Sequence, residues 1–330
     1  MHDLSLPSAT TVPPLISVMI PVYEPNHLLL KTLSSVLQQQ PTFSPGAMQI
    51  VLLDDASPNV DVAALISQLP GAASITIYRN KTNLGLAGNW NRAIEFAQGE
   101  FIHILHQDDV VLPGFYQRLI AGLQGCPPAG MAFCRHAIID AEDNIQRIAH
   151  QERWHAGVLR NWLARISTRT RIQCPAAIVR RATYEALGDF RTDLKYALDW
   201  EMWVRIATCY PVWYEPQLLA HYRRHAQNES ARLAEQGGQD PDVLKTIAVF
   251  SPLLPEAQRA KLTQNAYRYF VRSRLKQAHK LVAAGDYAQA TTTMNNIALA
   301  LPHIPVGWSS WRIKRKLGAL RRAVHIHTAC

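Results

Sequence analysis

The 330-residue chain is 48% hydrophobic and 18% charged, a balance that excludes intrinsic disorder and sets the expectation of one large α/β domain with an appendage, or of two domains. Five cysteines (Cys126, Cys134, Cys174, Cys209 and Cys330), odd in number and without CxxC spacing, argue against a disulfide framework or a zinc cluster and for a reducing, cytoplasmic setting. The net charge of +9 is C-terminal, since from Lys261 onward twelve Lys and Arg face one acid, Asp286, and the first 260 residues are slightly acidic.

Residues 1–14 are polar and proline-rich and read as a flexible N-terminus. No stretch approaches the roughly 18 apolar residues that a membrane span needs. Ile16 to Val22 is a short, nearly continuous apolar run, as a buried parallel strand requires. A helix is predicted after it, with Asn26 as N-cap and Leu29, Leu33, Val36 and Leu37 on one face, closing before Pro41. Ile50 to Leu53 is a second buried strand running into Asp54-Asp55, and Ser74 to Tyr78 a third. Asn83-Leu-Gly-Leu-Ala-Gly88 reads as a loop before a helix at Asn89 to Gln98, whose Trp90, Ala93, Ile94 and Ala97 share a face and which Gly99 terminates. Phe101 to Leu105 is a fourth strand that delivers Asp108 and Asp109 to its C-terminal end.

This alternation predicts an open parallel sheet whose ligands bind outside the carboxyl ends of the strands, where both acidic pairs fall. Further strands are predicted at Met131 to Ile139 and Ala176 to Val179, with a polar turn at Glu142 to Asn144 and helices at Thr183 to Leu187 and Asp199 to Ile206. A linker at Gln236 to Pro241 divides a domain at 15–235 from a basic helical region at 236–330.

Asp108 and Asp109 are hard oxygen ligands suited to Mg²⁺ or Mn²⁺, or else a solvated turn. Asp55, one strand earlier at the same edge, offers an acceptor for a base or ribose. No Gly-rich phosphate loop follows the first strand, where Pro21-Val-Tyr-Glu-Pro25 stands instead, so phosphate must be held by metal or by cations. Asp199 is either an N-cap or a group pointing into the cleft. His221-Tyr-Arg-Arg-His225 gathers cations suited to a diphosphate.

In order along the chain, Ser17 to Tyr23, Ile50 to Ser57, Asn83 to Asn91, Gly99 to Asp109, Leu198 to Arg205 and His221 to His225 resemble the family-two glycosyltransferases, over roughly Ile16 to Ser230. The resemblance implies the GT-A fold, a Rossmann-like, mostly parallel sheet flanked by helices. It further implies a nucleotide-sugar pocket lined by Pro21, Val22, Tyr23, Glu24, Asp55, Asn83, Asn89 and Asp108, with Asp55 on the base. Asp108 and Asp109 would be the DxD-type element, His225 a late histidine near metal and diphosphate, and Asp199 the general base of an inverting displacement. Where a common form of the motif has an acid, this chain has His106 and Leu198, which leaves the metal role open between Asp108 and Asp109. The acceptor class is a saccharide or a lipid-linked molecule.

Toward the C-terminus, basic residues alternate with Trp308, Trp311, Ile313, Leu317 and Leu320, which fits either a segment lying on an anionic membrane or a solvated face packed on the catalytic domain. Nucleic acid is disfavoured because no recognised module accompanies the charge. The competing functions are a nucleotidyltransferase of related fold and a non-catalytic carbohydrate-binding scaffold.

Overall fold

The computed structural model describes residues 13–226, 228–229, 232–233, 238–305 and 308–328. Most of the N-terminal segment, part of the expected linker and Cys330 lie outside the described residues.

The strands are β1 (Ile16–Val22), β2 (Met48–Asp54), β3 (Ile75–Arg79), β4 (Phe101–Ile104), β5 (Val110–Val111), β6 (Met131–Ile139), β7 (Ile145–Ile148), β8 (Gly157–Val158), β9 (Ala177–Arg180) and β10 (Val212–Arg223). They form one sheet in the order β3-β2-β1-β4-β9-β6-β10-β5, with β7 on β6 and β8 on β10. From β3 to β4 every pairing is parallel. Beyond β4 the sheet is mixed: β9 runs antiparallel to both neighbours and β6 pairs β10 in parallel. The expectation of an open parallel sheet therefore holds for its first half. In the second half, β9 enters between β4 and β6 because Ile102 pairs Val179 on one side and Met131 pairs it on the other.

Helices α1 (Leu28–Leu37), α2 (Val62–Ile66), α3 (Gly85–Phe96), α4 (Phe115–Gln124), α5 (Trp162–Ile166), α6 (Arg181–Leu187) and α7 (Leu198–Cys209) flank it. The predicted stripe of α1 is buried at Leu29, Leu33 and Val36. The N-cap position of α1 is His27 rather than the expected Asn26; Asn26 stands one residue earlier, and its carboxamide oxygen accepts the Leu28 amide at 2.9 Å.

Two glycines have roles other than those expected. Gly85 does not sit in a loop ahead of a later helix: it opens α3 itself, at φ +72, a conformation that favours glycine. Gly99 does not terminate α3, which ends at Phe96. It lets two backbones meet, because a Cβ there would stand 2.6 Å from the Ser17 amide nitrogen and 2.7 Å from the Ile16 carbonyl carbon.

Past residue 238 come α8 (Gln239–Phe250), α9 (Glu256–Ala283), α10 (Tyr287–Ala300) and α11 (Trp308–Thr328). Their apolar faces, among them Phe250, Tyr267, Phe270, Ile297, Ile313, Leu317 and Leu320, belong to the same buried cluster as Trp90, Trp200 and Trp203. Hydrophobic burial therefore ties these helices to one face of the sheet. No described helix is long and apolar enough to cross a membrane. The four described cysteines are free thiols.

Candidate active site

The carboxyl ends of β1, β2 and β4 lie side by side, as parallel pairing dictates, and the loops after them carry the acidic residues. After β1, Tyr23 is exposed, and its backbone forms a closed pair with the side chain of Gln107: Tyr23 N–H donates to Oε1 at 2.9 Å and Gln107 Nε2 donates to the Tyr23 carbonyl at 3.1 Å. Gln107 thus splices the β1 loop to the β4 loop. Glu24 has a left-handed backbone (φ 46). Its amide donates to Ser57 Oγ and its carboxylate accepts the amide and the side chain of Asn59, all at 2.9 Å. These donors hold the Glu24 carboxyl below the ordinary carboxylate value.

After β2, Asp54 is buried against Arg79 Nη1 (2.6 Å) and the Ser57 amide and hydroxyl. Asp55, also buried, accepts from Asn80 Nδ2 (2.8 Å) and from the amides of Leu84 (2.8 Å) and Gly85 (2.9 Å). It therefore satisfies the orphan amides at the start of α3 from about thirty residues away, the work an N-cap side chain usually does locally. Asn83 Nδ2 donates to the Asp55 carbonyl, and Asn89 ties the Leu53 carbonyl to Asn80. Asn89 is buried, as Asp55 is.

After β4, His106, Asp108 and Asp109 present ligand atoms all within 4.8 Å of one another. His106 Nδ1 lies 3.0 Å from Asp109 Oδ2, and its ring stacks on Trp90 with centroids 5.1 Å apart. Asp109 is fully buried; its Oδ1 accepts the Arg223 amide at 2.7 Å, while Oδ2 makes no well-aligned hydrogen bond. Burial first and the Asp108 charge second push the Asp109 carboxyl up to about 6, against the pull of His106 and the Arg223 amide. Burial also opposes a charge on His106, but the Cys174 sulfur and the Asp109 carboxylate overcome it and hold the ring well above the ordinary imidazole value. Asp108 Oδ2 meets His225 Nε2 at 2.8 Å. Two carboxylates and an imidazole, with one buried oxygen unsatisfied, fit the donor set of a small divalent cation.

Arg223, at the end of β10, was visible in sequence only as part of a basic cluster. Its fully buried guanidinium donates to the carbonyls of Asp108 (2.8 Å) and Asp140 (2.9 Å) and to Asp143 Oδ1 (2.6 Å). The β4 loop and the turn after β6 are fixed to each other through this one side chain.

Asp199 stands in the first turn of α7, partly exposed, and its Oδ1 accepts its neighbour Trp200's amide at 2.7 Å. Burial pushes its carboxyl up to about 6, with the Trp200 amide and then the nearby His106 charge pulling back. Its entry into α7 is set by Asp242 of α8, whose buried carboxylate accepts the amides of Lys195 (3.0 Å), Tyr196 (2.8 Å) and Ala197 (2.8 Å). Sequence reasoning did not single out Asp242, because a carboxylate beyond a linker carries no local sign of the amides it will meet. The structure thus brings His106, Asp108, Asp109 and His225 together, sets Asp199 within range of the His106 charge, and places Pro21 to Glu24, Asp55 and Asn83 along the same edge.

A sheet of this order, flanked by helices and carrying its acidic loops on the carboxyl edge, is the GT-A type of glycosyltransferase fold. It is shared with Staphylococcus aureus TarS residues 1–349, in complex with UDP-GlcNAc (TM-score 0.67, 14% identity, 94% of this chain and 88% of that one). The same holds for the mannosyltransferase PcManGT from Pyrobaculum calidifontis, in complex with GDP-Man and Mn²⁺ (TM-score 0.59, 18% identity, 96% and 87%). In sequence the chain is 28% identical over 281 residues to the uncharacterized protein MT1568 of Mycobacterium tuberculosis, 78% of this chain and 82% of that protein. The model of glycosyl transferase family 2 matches residues 17–188. The chain belongs to that family and is a glycosyltransferase, which decides against the nucleotidyltransferase alternative.

Proposed function

We propose that the protein is a metal-dependent, inverting transferase that moves a sugar from a nucleoside-diphosphate sugar to a hydroxyl of a saccharide or lipid-linked acceptor. The observation that carries this reading is the closeness of the His106, Asp108 and Asp109 cluster to Asp199, which feels the His106 charge and whose carboxylate accepts the Trp200 amide of its own helix. The complexes of TarS with UDP-GlcNAc and of PcManGT with GDP-Man and Mn²⁺ support the donor class and the metal.

Asp108 and Asp109 would hold Mn²⁺ or Mg²⁺, with His106 joining them only on giving up its proton and His225, the expected third ligand, hydrogen-bonded to Asp108. A divalent ion bound there supplies positive charge to the departing diphosphate. Pro21, Val22, Tyr23, Glu24, Asp55 and Asn83 would form the wall for base and ribose, with Gln107 holding that wall against the metal loop. With its carboxyl near 6, Asp199 is ionised at neutral pH and close enough to it to be an effective proton acceptor. It would take the proton of the acceptor hydroxyl as that oxygen bonds to the anomeric carbon and the bond to the diphosphate oxygen breaks, which inverts the centre.

The apolar side of α11 is spent on the core, while Arg312, Lys314, Arg315, Lys316, Arg321 and Arg322 are exposed. That outward basic face supports contact with an anionic membrane surface by charge. A thermal-shift series with UDP, GDP and their sugars, with and without Mn²⁺, tests the donor reading: nucleotide stabilisation that requires the metal and vanishes in Asp108→Asn is expected, and no stabilisation by any of them refutes it.

A further inference from the structure

Away from the carboxylate edge, the segment between β7 and α5 gathers arginines. A cavity of about 730 Å³ is lined there by Glu152, Arg153, Gly157, Arg160 and Arg165, among others. Its one acid is already committed: the Glu152 side chain, 4% exposed, is gripped by Arg165 and, at 2.7 Å, by Arg171. Arg153 and Arg160 have no ion-pair partner among the described residues, and both are exposed.

Arg153 is also aimed. Its Nη1 donates to the Val158 carbonyl at 3.0 Å and lies 2.7 Å from where a Cβ on Gly157 would stand, so glycine, at φ +141, makes room for the guanidinium. Burial first, and a neighbouring guanidinium second, hold both Arg165 and Arg171 below the ordinary arginine value. An arriving anion would relieve that repulsion. Beside Arg153, Trp154 is 81% exposed and offers a ring face of the kind that packs on a sugar or polyol.

The cavity is coupled to the proposed base through α5. Arg165 lines it, the next residue's carbonyl, that of Ile166, accepts the Trp200 indole N–H at 2.7 Å, and Asp199 adjoins Trp200. None of the residues that would hold the donor diphosphate lines it.

We propose that this cavity is an anion subsite for the acceptor, which makes the acceptor a phosphate-bearing saccharide or polyol whose phosphate is held by Arg153, Arg160 and Arg165 while its hydroxyl is presented toward Asp199. Guanidinium forks match phosphate oxygens in pairs, which suits this ligand over a single carboxylate. The assignment as an acceptor site rests on the donor reading above.

The test is calorimetric titration of the full chain with pyrophosphate and with bis-glycerol phosphate in the absence of divalent metal. Arg160→Gln and Arg153→Gln, both at exposed side chains, are each expected to weaken binding roughly ten- to a hundredfold. Arg92→Gln, on α3, should leave it unchanged, and UDP binding with Mn²⁺ should be intact in all three. Tighter binding of the diester assigns an internal phosphodiester of a polymer, and tighter binding of pyrophosphate assigns the diphosphate of a lipid-linked acceptor. Absence of binding by the wild type, or equal binding by wild type and both arginine variants, overturns the anion subsite. Arginine-dependent binding in a protein that takes no nucleotide overturns the donor reading instead and leaves the anion subsite standing.

Discussion

Replacing Arg223 by Met keeps most of the buried hydrocarbon and removes the cation with all of its donors. The carbonyls of Asp108 and Asp140, 2.8 and 2.9 Å from the guanidinium, would then be orphaned inside the protein. Each stranded acceptor costs about 1–3 kcal/mol, against which stands the relief of no longer burying a charge. The contact to Asp143 adds little, because that carboxylate is 46% exposed and screened by solvent. The net expectation is a loss of roughly 2–4 kcal/mol, read as a lower urea midpoint at unchanged slope. Nucleotide affinity with Mn²⁺ should fall as well, because the β4 loop that carries Asp108 loses its anchor to the turn after β6. Arg223→Lys should recover part of the stability and little of the affinity, since an ammonium cannot bridge both carbonyls as the planar fork does. A loss below about 1 kcal/mol with unchanged nucleotide affinity would refute this view of Arg223.

Asp199→Asn should raise stability in a pH-dependent way. A carboxyl near 6 in the folded chain, against an ordinary value of 3.8, binds its proton more tightly when folded, so its charge penalises the fold above pH 6 and not below pH 4. The gain at pH 8 should be about 1–2 kcal/mol, the full effect of such a shift reduced by solvent screening at a partly exposed group. Equal denaturation midpoints for the variant and the wild type at pH 8 would contradict it. Asp242→Ala strands three amides before α7 and should lower kcat with little change in donor affinity; steady-state kinetics would show the opposite split if Asp242 served the donor pocket. Charge reversal of Arg312, Arg315 and Lys316 to Glu, chosen because deleting α11 would also remove buried Ile313, Leu317 and Leu320, should abolish cosedimentation with anionic vesicles at moderate salt. Unchanged sedimentation would exclude membrane contact through this face.

Much of the sheet was legible because buried parallel strands must be continuous apolar runs. β1, β2, β4 and β6 fall within two residues of their expected bounds, for example Met131–Ile139. Strands of two residues, β5 and β8, carry no such signal; they exist because β10 offers each a partner. The insertion of β9 between β4 and β6 is a long-range pairing that local pattern does not encode. At the candidate site, the positions of Asp108 and Asp109 after β4 and of Asp199 near the start of α7 were legible from the strand and helix patterns. The positions of Gln107, Arg223 and Asp242 were not, since each acts on backbone brought near only by folding. Asp55 shows the same limit from the other side: its place at the edge was visible, but its capping of α3 depends on a contact with Leu84 and Gly85 across the fold.

The central claim, that Asp199 is the base acting on a donor held at the Asp108 and Asp109 edge, is tested most directly by the transfer rate of Asp199→Asn at saturating donor with Mn²⁺. The account predicts a fall of about 10²–10⁴-fold with the donor dissociation constant unchanged. A variant that transfers sugar at the wild-type rate, or one that loses the nucleotide while turning over normally when it is bound, would contradict it.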